Sequence, residues 1–203
     1  MLKEERLLIF IKNPTAGKVK TRLAAAIGND KALEVYKALM AYTQEITAGV
    51  DVHRQVWYSS YIDDADDWSM EYYDKRLQIG NDLGARMNNA FHEAFDEDCT
   101  KVVIIGSDCP GLTSNHIKEA FLQLAKKDCV IGPSEDGGYY LLGLSKRLPE
   151  LFKDREWSTE SVLEESVDTL ENHRFSYELL EELNDIDNEE DLKKSNFKPE
   201  LLD

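Results

Sequence analysis

The sequence predicts an α/β protein in three layers, a mostly parallel sheet with helices on both faces, and three observations carry that expectation. Short apolar runs bounded by Gly, Pro or Asp read as buried strands. Stripes of apolar residues at helical spacing fill the intervals between them. Those intervals are long enough for helical crossovers, which are what join parallel neighbours in one sheet.

The strand candidates are Leu7 to Ile11, Val52 to Tyr58, Val102 to Ile105, Cys129 to Gly132 and Tyr139 to Leu144. The first helical stripe is Leu33, Tyr36, Met40, Thr43 and Ile46. A second, over Leu83 to Phe95, carries Leu83, Met87, Ala90, Phe91 and Ala94. Ile117, Ala120, Phe121 and Leu124 make a third, and Val162, Leu163, Ser166, Val167 and Leu170 a fourth. The tail after Phe175 is acidic, and Asp187 with Glu190 suits the start of one last short helix.

At 203 residues and 42% hydrophobic content, the chain suits one domain over residues 1–203 with a full core. A net charge of −16 repels a nucleic-acid backbone, so no nucleic-acid partner is expected. No run approaches the roughly 18 apolar residues of a membrane span. Lys3 to Arg6 lead straight into the brief run at Leu7, too short for a signal sequence, so a cytoplasmic protein is expected. Cys99, Cys109 and Cys129 show neither Cys-x-x-Cys spacing nor His neighbours, which points to buried reduced thiols. His53, His92, His116 and His173 fall on separate elements at no ligand spacing.

The charge is unevenly spread. Arg6 through Asn29 holds Arg6, Lys12, Lys18, Lys20 and Arg22 and no acid, where the overall composition would place about five. A local positive site in an acidic protein suggests a small anionic ligand. Within that stretch, Lys12-Asn13-Pro14-Thr15-Ala16-Gly17-Lys18-Val19-Lys20-Thr21-Arg22 follows the first strand and opens a helix. A turn there lets backbone N–H groups approach phosphate, with Lys12, Gly17, Lys20 and Arg22 as candidates. It is not a Walker loop, because Gly17-Lys18 is followed by Val19 and the first Gly is missing. A solvated basic loop is the plain alternative.

Gly106-Ser107-Asp108-Cys109-Pro110 directly follows the strand ending at Ile105. A carboxylate just past a buried parallel strand sits where open α/β sheets bind ligands, and its hard oxygens suit Mg²⁺ or Mn²⁺; Asp108 is the metal candidate. The competing reading is an Asp that hydrogen-bonds its own turn ahead of a helix capped by Thr113 or Ser114. In the third segment, Gly132 to Gly143, Glu135 and Asp136 offer a base or an acceptor for substrate hydroxyls, and Gly137 and Gly138 permit close backbone approach. An Asp-Gly hairpin turn fits equally. Trp157 offers a stacking surface for sugar or base, although a Trp ahead of a helix also serves as packing.

In combination these segments resemble a known family. The order Lys-Asn-Pro-x-x-Gly-x-Val-Lys-Thr-Arg-Leu, Gln78-Ile79-Gly80-Asn81-Asp82-Leu83-Gly84-x-Arg86-Met87, Gly-Ser-Asp-Cys-Pro and Gly-Pro-x-x-Asp-Gly-Gly-Tyr-Tyr-Leu-Leu-Gly is similar to an uncharacterised-domain family of bacterial glycosyltransferase-like proteins. Trp157-Ser158-Thr159, Asp185-Ile186-Asp187 and Asp191-Leu192 extend the resemblance from about Leu7 to Leu192. It implies the GT-A, Rossmann-like nucleotide-diphospho-sugar transferase fold, with the first loop around the nucleotide and Asp108 in the place of the metal-binding Asp. A glycosyltransferase Asp-x-Asp would need an acid at 106 or 110, where this chain has Gly106 and Pro110. A single Asp looks more like the related molybdopterin and phospholactate nucleotidyltransferases, which often add a late Asp or Asn before a short helix. Asp187 matches that place, and also suits a plain helix N-cap.

The leading expectation is therefore metal-dependent transfer of a sugar from a nucleotide-diphosphate sugar to a small acceptor. Nucleotidyl transfer from a nucleoside triphosphate to a phosphorylated metabolite, with pyrophosphate release, is the alternative. A non-catalytic nucleotide-binding protein is the third, because fold alone does not establish activity.

Overall fold

A computed structural model describes residues 4–153, 155–157, 159–195 and 197. Seven strands form one sheet: β1 Glu5–Ile11, β2 His53–Tyr58, β3 Asp74–Leu77, β4 Lys101–Ile105, β5 Cys129–Pro133, β6 Tyr139–Leu144 and β7 Tyr177–Leu179. The helices are α1 Thr21–Ile27, α2 Asn29–Ala48, α3 Leu83–Asp96, α4 Ser114–Gln123, α5 Val162–Asn172 and α6 Glu189–Lys194, with a 3₁₀ turn at Pro149–Phe152. The sheet order is β3-β2-β1-β4-β6-β5-β7. β3, β2, β1 and β4 run parallel, β6 is antiparallel between β4 and β5, and β7 is parallel to β5. The expected three-layer, mostly parallel architecture is present.

Burial explains why β1 and β4 lie at the centre. Arg6 through Ile11 are all buried, and the strand sends Leu7, Ile9 and Ile11 to one face and Leu8 and Phe10 to the other. β4 does the same with Val103 and Ile105 against Val102 and Ile104. The two-residue repeat of a strand thus feeds two cores, each buried large side chain contributing about 1.5–3 kcal/mol. One core is closed by α2 and α4 through Tyr36, Met40, Ile117 and Phe121. The other is closed by α3, α5 and the 3₁₀ turn through Met87, Phe91, Leu170 and Leu151. α1 breaks from α2 at Gly28 and folds back on it, burying Leu23 against Val35, Leu39 and Ile186.

Three features depart from expectation, and one open alternative is resolved. β3 and β7 lack apolar runs, reading Asp-Lys-Arg-Leu and Tyr-Glu-Leu, because each pairs at an outer position of the sheet. The crossover from β2 to β3 contains no helix; residues 59–73 are anchored instead by buried Trp68 and by Asp66, which accepts from Tyr58 (2.6 Å) and Lys75 (2.7 Å). β5 and β6 are joined as an antiparallel hairpin, so the hairpin reading of the 134–138 turn holds. Arg6, counted in the basic stretch, is fully buried at the opposite end of β1 and paired with Glu97. The three cysteines are buried and free, as expected.

Candidate active site

A cleft of about 730 Å³ opens over the carboxyl ends of β1 and β4 and the start of β6, the place where open α/β sheets bind ligands. Its root is tied down by hydrogen bonds that cross between elements. The Tyr36 hydroxyl accepts from the Lys12 amide (2.8 Å), donates to the Lys12 carbonyl (3.1 Å) and meets Ser107 Oγ (3.1 Å). Burial pushes this phenol up to about 12, so it stays a neutral clamp near neutral pH. Asn13 locks the loop to the next crossover, donating to the Tyr61 carbonyl (2.8 Å) and accepting from the Ser60 amide (3.0 Å). Gln78 spans two strand ends by donating to the carbonyls of Ile11 (3.1 Å) and Trp57 (2.7 Å).

Over this root lies a charged centre. Lys20, in the left-handed conformation (φ 47°) just before α1, sends Nζ to Asp108 Oδ2 at 3.0 Å and to Asp187 Oδ1 at 3.2 Å. The Lys20 side chain is 5% exposed, while both carboxylates are partly open to the cleft. Burial alone would lower the Lys20 pKa, but the charges of Asp108 and then Asp187 outweigh it and hold the group above the ordinary lysine value. Burial likewise opposes ionisation of Asp108, and Lys20 overcomes it, keeping that carboxyl below the usual range. Arg22, 77% exposed, stands 3.7 Å from Asp187.

Asp187 reaches the centre because the chain after α5 runs back along the sheet. β7 pairs with β5, Leu183 N donates to the Pro133 carbonyl, and Ile186 N donates to the Asp108 carbonyl at 3.0 Å. Asp187 is not the helix cap. Asn188 caps α6, and Asp191 closes the capping box while also accepting from the Asp187 amide (3.0 Å). The Asp187 side chain is thereby left to the cleft. Thr113 caps α4, and Asp108, with a backbone hydrogen bond in its own turn, also accepts from Lys20 through Oδ2. Gly106 has its own reason: a Cβ there would lie 2.9 Å from Asp108 Oδ1, so an acid at 106 would press on Asp108.

The other sequence candidates divide. Lys12, Asp136, Gly138 and Trp157 line the cleft; Gly17, Glu135 and Gly137 do not. Glu135 is exposed, outside the cleft lining, and lies near enough to Lys194 to add to its field. Gly137 (φ 83°) faces chain rather than ligand, because a Cβ would lie 2.0 Å from the Glu160 carbonyl. Asp136 accepts from Ser134 Oγ and the Gly138 amide through Oδ1, so it holds its own hairpin turn while bordering the cleft. Trp157 is chiefly packed, stacked on Phe152 at 6.2 Å and edge-on to Tyr139 at 6.5 Å. Ser158 lies outside the described residues.

Sequence reasoning missed Asp185. It borders the cleft, its Oδ1 is buried without a hydrogen-bond partner among the described residues, and burial followed by the charge of Asp108 pushes its carboxyl well above the ordinary range. The signal was the alternation Asp185-Ile186-Asp187, in which both acids border the cleft while Ile186 between them is fully buried. Lys18, Tyr36, Ser107 and Gln78 were not singled out either, since nothing local marks a root residue.

The donor set bears on whether a divalent cation fits here. Among the described residues no three His, Cys, Asp or Glu side chains are grouped to hold a metal. Two carboxylates from distant segments nevertheless converge on one cationic atom. Mg²⁺ characteristically takes one or two carboxylates and completes its shell with water and substrate phosphates, so Asp108 and Asp187 fit such an ion.

The fold is that of the nucleotide-diphospho-sugar transferases. The chain belongs to the family described as "Uncharacterized protein conserved in bacteria (DUF2064)", whose model matches residues 42–159. It is similar to a crystal structure from Desulfovibrio desulfuricans G20, described as a "putative nucleotide-diphospho-sugar transferase", at 32% identity over 94% of this chain and 85% of that one, with a TM-score of 0.87. The fold is shared with 4-diphosphocytidyl-2C-methyl-D-erythritol synthase of Anaerococcus prevotii DSM 20548 (10% identity, 96% and 95% covered, TM-score 0.61). It is shared also with a manganese complex of Rv0371c from Mycobacterium tuberculosis H37Rv (12%, 96% and 98%, 0.55). No curated protein matches the chain. Among the described residues, no helix is long and apolar enough to cross a membrane.

Proposed function

We propose that the protein is a divalent-cation-dependent transferase that holds a nucleotide by its phosphates and passes a sugar from a nucleotide-diphosphate sugar to a small acceptor. The observation that carries the reading is the bracketing of one cationic atom by Asp108 and Asp187, beside a basic loop at the strand ends. The description of the 32%-identical relative supports the donor class.

In this reading Asp108 and Asp187 hold Mg²⁺ or Mn²⁺. A bound ion would supply charge neutralisation at a departing diphosphate. Lys12, Lys18, Lys20 and Arg22 give the phosphate oxygens charge-assisted hydrogen bonds. Asp136 has Oδ1 engaged by its own turn, which leaves Oδ2 to accept an acceptor hydroxyl and take its proton. Gly138 lets the acceptor approach that carboxylate, and Trp157 closes the apolar side of the cleft.

A second reading, nucleotidyl transfer, is favoured by one observation: Asp187 joins Asp108 from a late segment, while Gly106 and Pro110 leave no Asp-x-Asp. The two differ in the bond broken. Sugar transfer consumes a nucleotide sugar and yields a nucleoside diphosphate, whereas nucleotidyl transfer consumes a triphosphate and yields pyrophosphate. Purified protein with Mn²⁺, a metabolite extract and each donor class in turn, assayed for both products, decides between them. Diphosphate formation that disappears in Asp108→Asn is expected; pyrophosphate from a triphosphate, with no turnover of nucleotide sugars, would hand the site to the second reading.

A further inference from the structure

Lys20 is a phosphate ligand in the proposed reaction, yet in the structure its ammonium stands between the two carboxylates assigned to the metal. Both contacts are at hydrogen-bond distance, 3.0 and 3.2 Å, and the side chain is almost wholly buried. Asp136 and Asp185 border the same cleft, so the pair has further carboxyl groups for neighbours. The two remaining cleft lysines, Lys12 and Lys18, make no ion pair with Asp108 or Asp187, and Arg22 reaches only Asp187, at 3.7 Å. Lys20 is therefore the cation that allows Asp108 and Asp187 to lie close together.

A divalent ion cannot join this arrangement without cost. It would share the oxygens already bound to an ammonium, and two cations a few ångströms apart in a half-buried cleft repel. The Lys20 side chain is long and flexible, so its ammonium can leave while its backbone stays at the head of α1. Once released, it remains beside the loop that carries Lys12 and Lys18.

We propose that Lys20 is a resident counter-cation of the Asp108–Asp187 pair, that a divalent cation enters only by displacing its ammonium, and that the released ammonium then serves an anionic phosphate. This rests on reading the cleft as a cation and phosphate site. Cation and phosphate binding are consequently coupled through one side chain, and each strengthens the other. Lys20 is in this sense a positioning residue for the two carboxylates as well as a ligand for the anion.

The test uses the full chain and Mn²⁺ alone, titrated by calorimetry and by electron paramagnetic resonance in the absence of nucleotide. Lys20→Ala removes the competing ammonium, and Lys20→Met does so while keeping most of the side-chain stem; thermal melts report which variants are folded. Both folded variants are expected to bind Mn²⁺ about ten- to a hundredfold more tightly than the parent, the scale of one charge-assisted hydrogen bond that the ion no longer has to break. Arg22→Ala, whose cation is exposed and farther away, is expected to change the affinity by less than about threefold. In the parent protein, Mn²⁺ is expected to expose the Lys20 amine to an acylating reagent read by peptide mass spectrometry. Equal Mn²⁺ affinity in parent and Lys20 variants, or weaker binding in them, overturns the inference and leaves the cation site standing. Absence of Mn²⁺ binding in every variant overturns both the inference and the cation site.

Discussion

At Gly84, the second residue of α3, there is no space for a methyl group. An ideal Cβ would lie 2.1 Å from the Trp157 ring, whose other neighbours are Phe152 and Tyr139. Two effects oppose each other in Gly84→Ala. Helix propensity favours alanine by up to about 1 kcal/mol, while forcing a side chain into a filled space costs about 1–3 kcal/mol. The clash involves the body of an indole fixed on two sides, so packing is expected to win by about 1–2 kcal/mol, measured as a lower urea midpoint at unchanged slope. Trp157→Leu should relieve the clash, so the double variant is expected to be less destabilised than the sum of the two single variants. Strict additivity would show that the 84–157 approach does not limit packing. The glycines show what a sequence conceals at this scale. Gly84 and Gly137 both announce a close approach, but the partners, Trp157 and Glu160, come from a distant loop that nothing local identifies. Lys20 and Asp108 were more legible, because residue type and position after a strand already limit what they do, while Asp187, which meets them, was reached through the family resemblance.

Among the elements, α6 is the shortest α-helix and the one that directly follows Asp187 of the charged centre. It fully buries no residue, though Leu192 packs partly buried against Leu23 and its neighbours, and its cap is well formed: Asn188 accepts from the amides of Glu190 (2.8 Å) and Asp191 (3.1 Å). Asp191 in return accepts from the amides of Asp187 and Asn188, both at 3.0 Å. The cap therefore fixes the backbone from which Asp187 reaches Lys20. Asp191→Ala is expected to cost about 0.5–1 kcal/mol of stability, the scale of one missing cap, and to weaken Mn²⁺ binding severalfold. Calorimetry and a thermal melt separate the two effects; unchanged Mn²⁺ affinity in the folded variant would show that Asp187 is positioned without it. The sequence marked this helix through Asp187 and Glu190, but assigned the cap one residue early. Long elements were read better than short ones. β1, β4 and the helices packed on them carry enough apolar repeat to declare themselves, whereas β3, β7 and the helix-free crossover 59–73 are held by pairing and by the Asp66, Tyr58 and Lys75 contacts that appear only on folding.

Across the whole molecule the site behaves as a seam. Its residues come from the loop after β1, the end of β4, the β5–β6 hairpin and the segment after β7, and each is anchored to a different part of the two cores. The sheet is common to both cores, with alternate residues of β1 and β4 contributing to each, so neither core can be lost while the other stays intact. Unfolding by heat is accordingly expected as one transition for the full chain. Ligand binding should then stabilise the entire molecule by mass action, about 2.7 kcal/mol at a hundredfold excess over Kd. For a domain of this size each kcal/mol raises the midpoint by about 2–4 °C, so Mn²⁺ with a bound nucleotide sugar or triphosphate is expected to move the single peak upward by roughly 5–10 °C. Asp108→Asn should abolish most of that shift, because it removes one of the two carboxylates that would hold the ion. Differential scanning calorimetry reads both quantities together. Two resolved peaks, only one of which responds to ligand, would mean that the seam closes one part of the molecule and leaves the other to unfold alone.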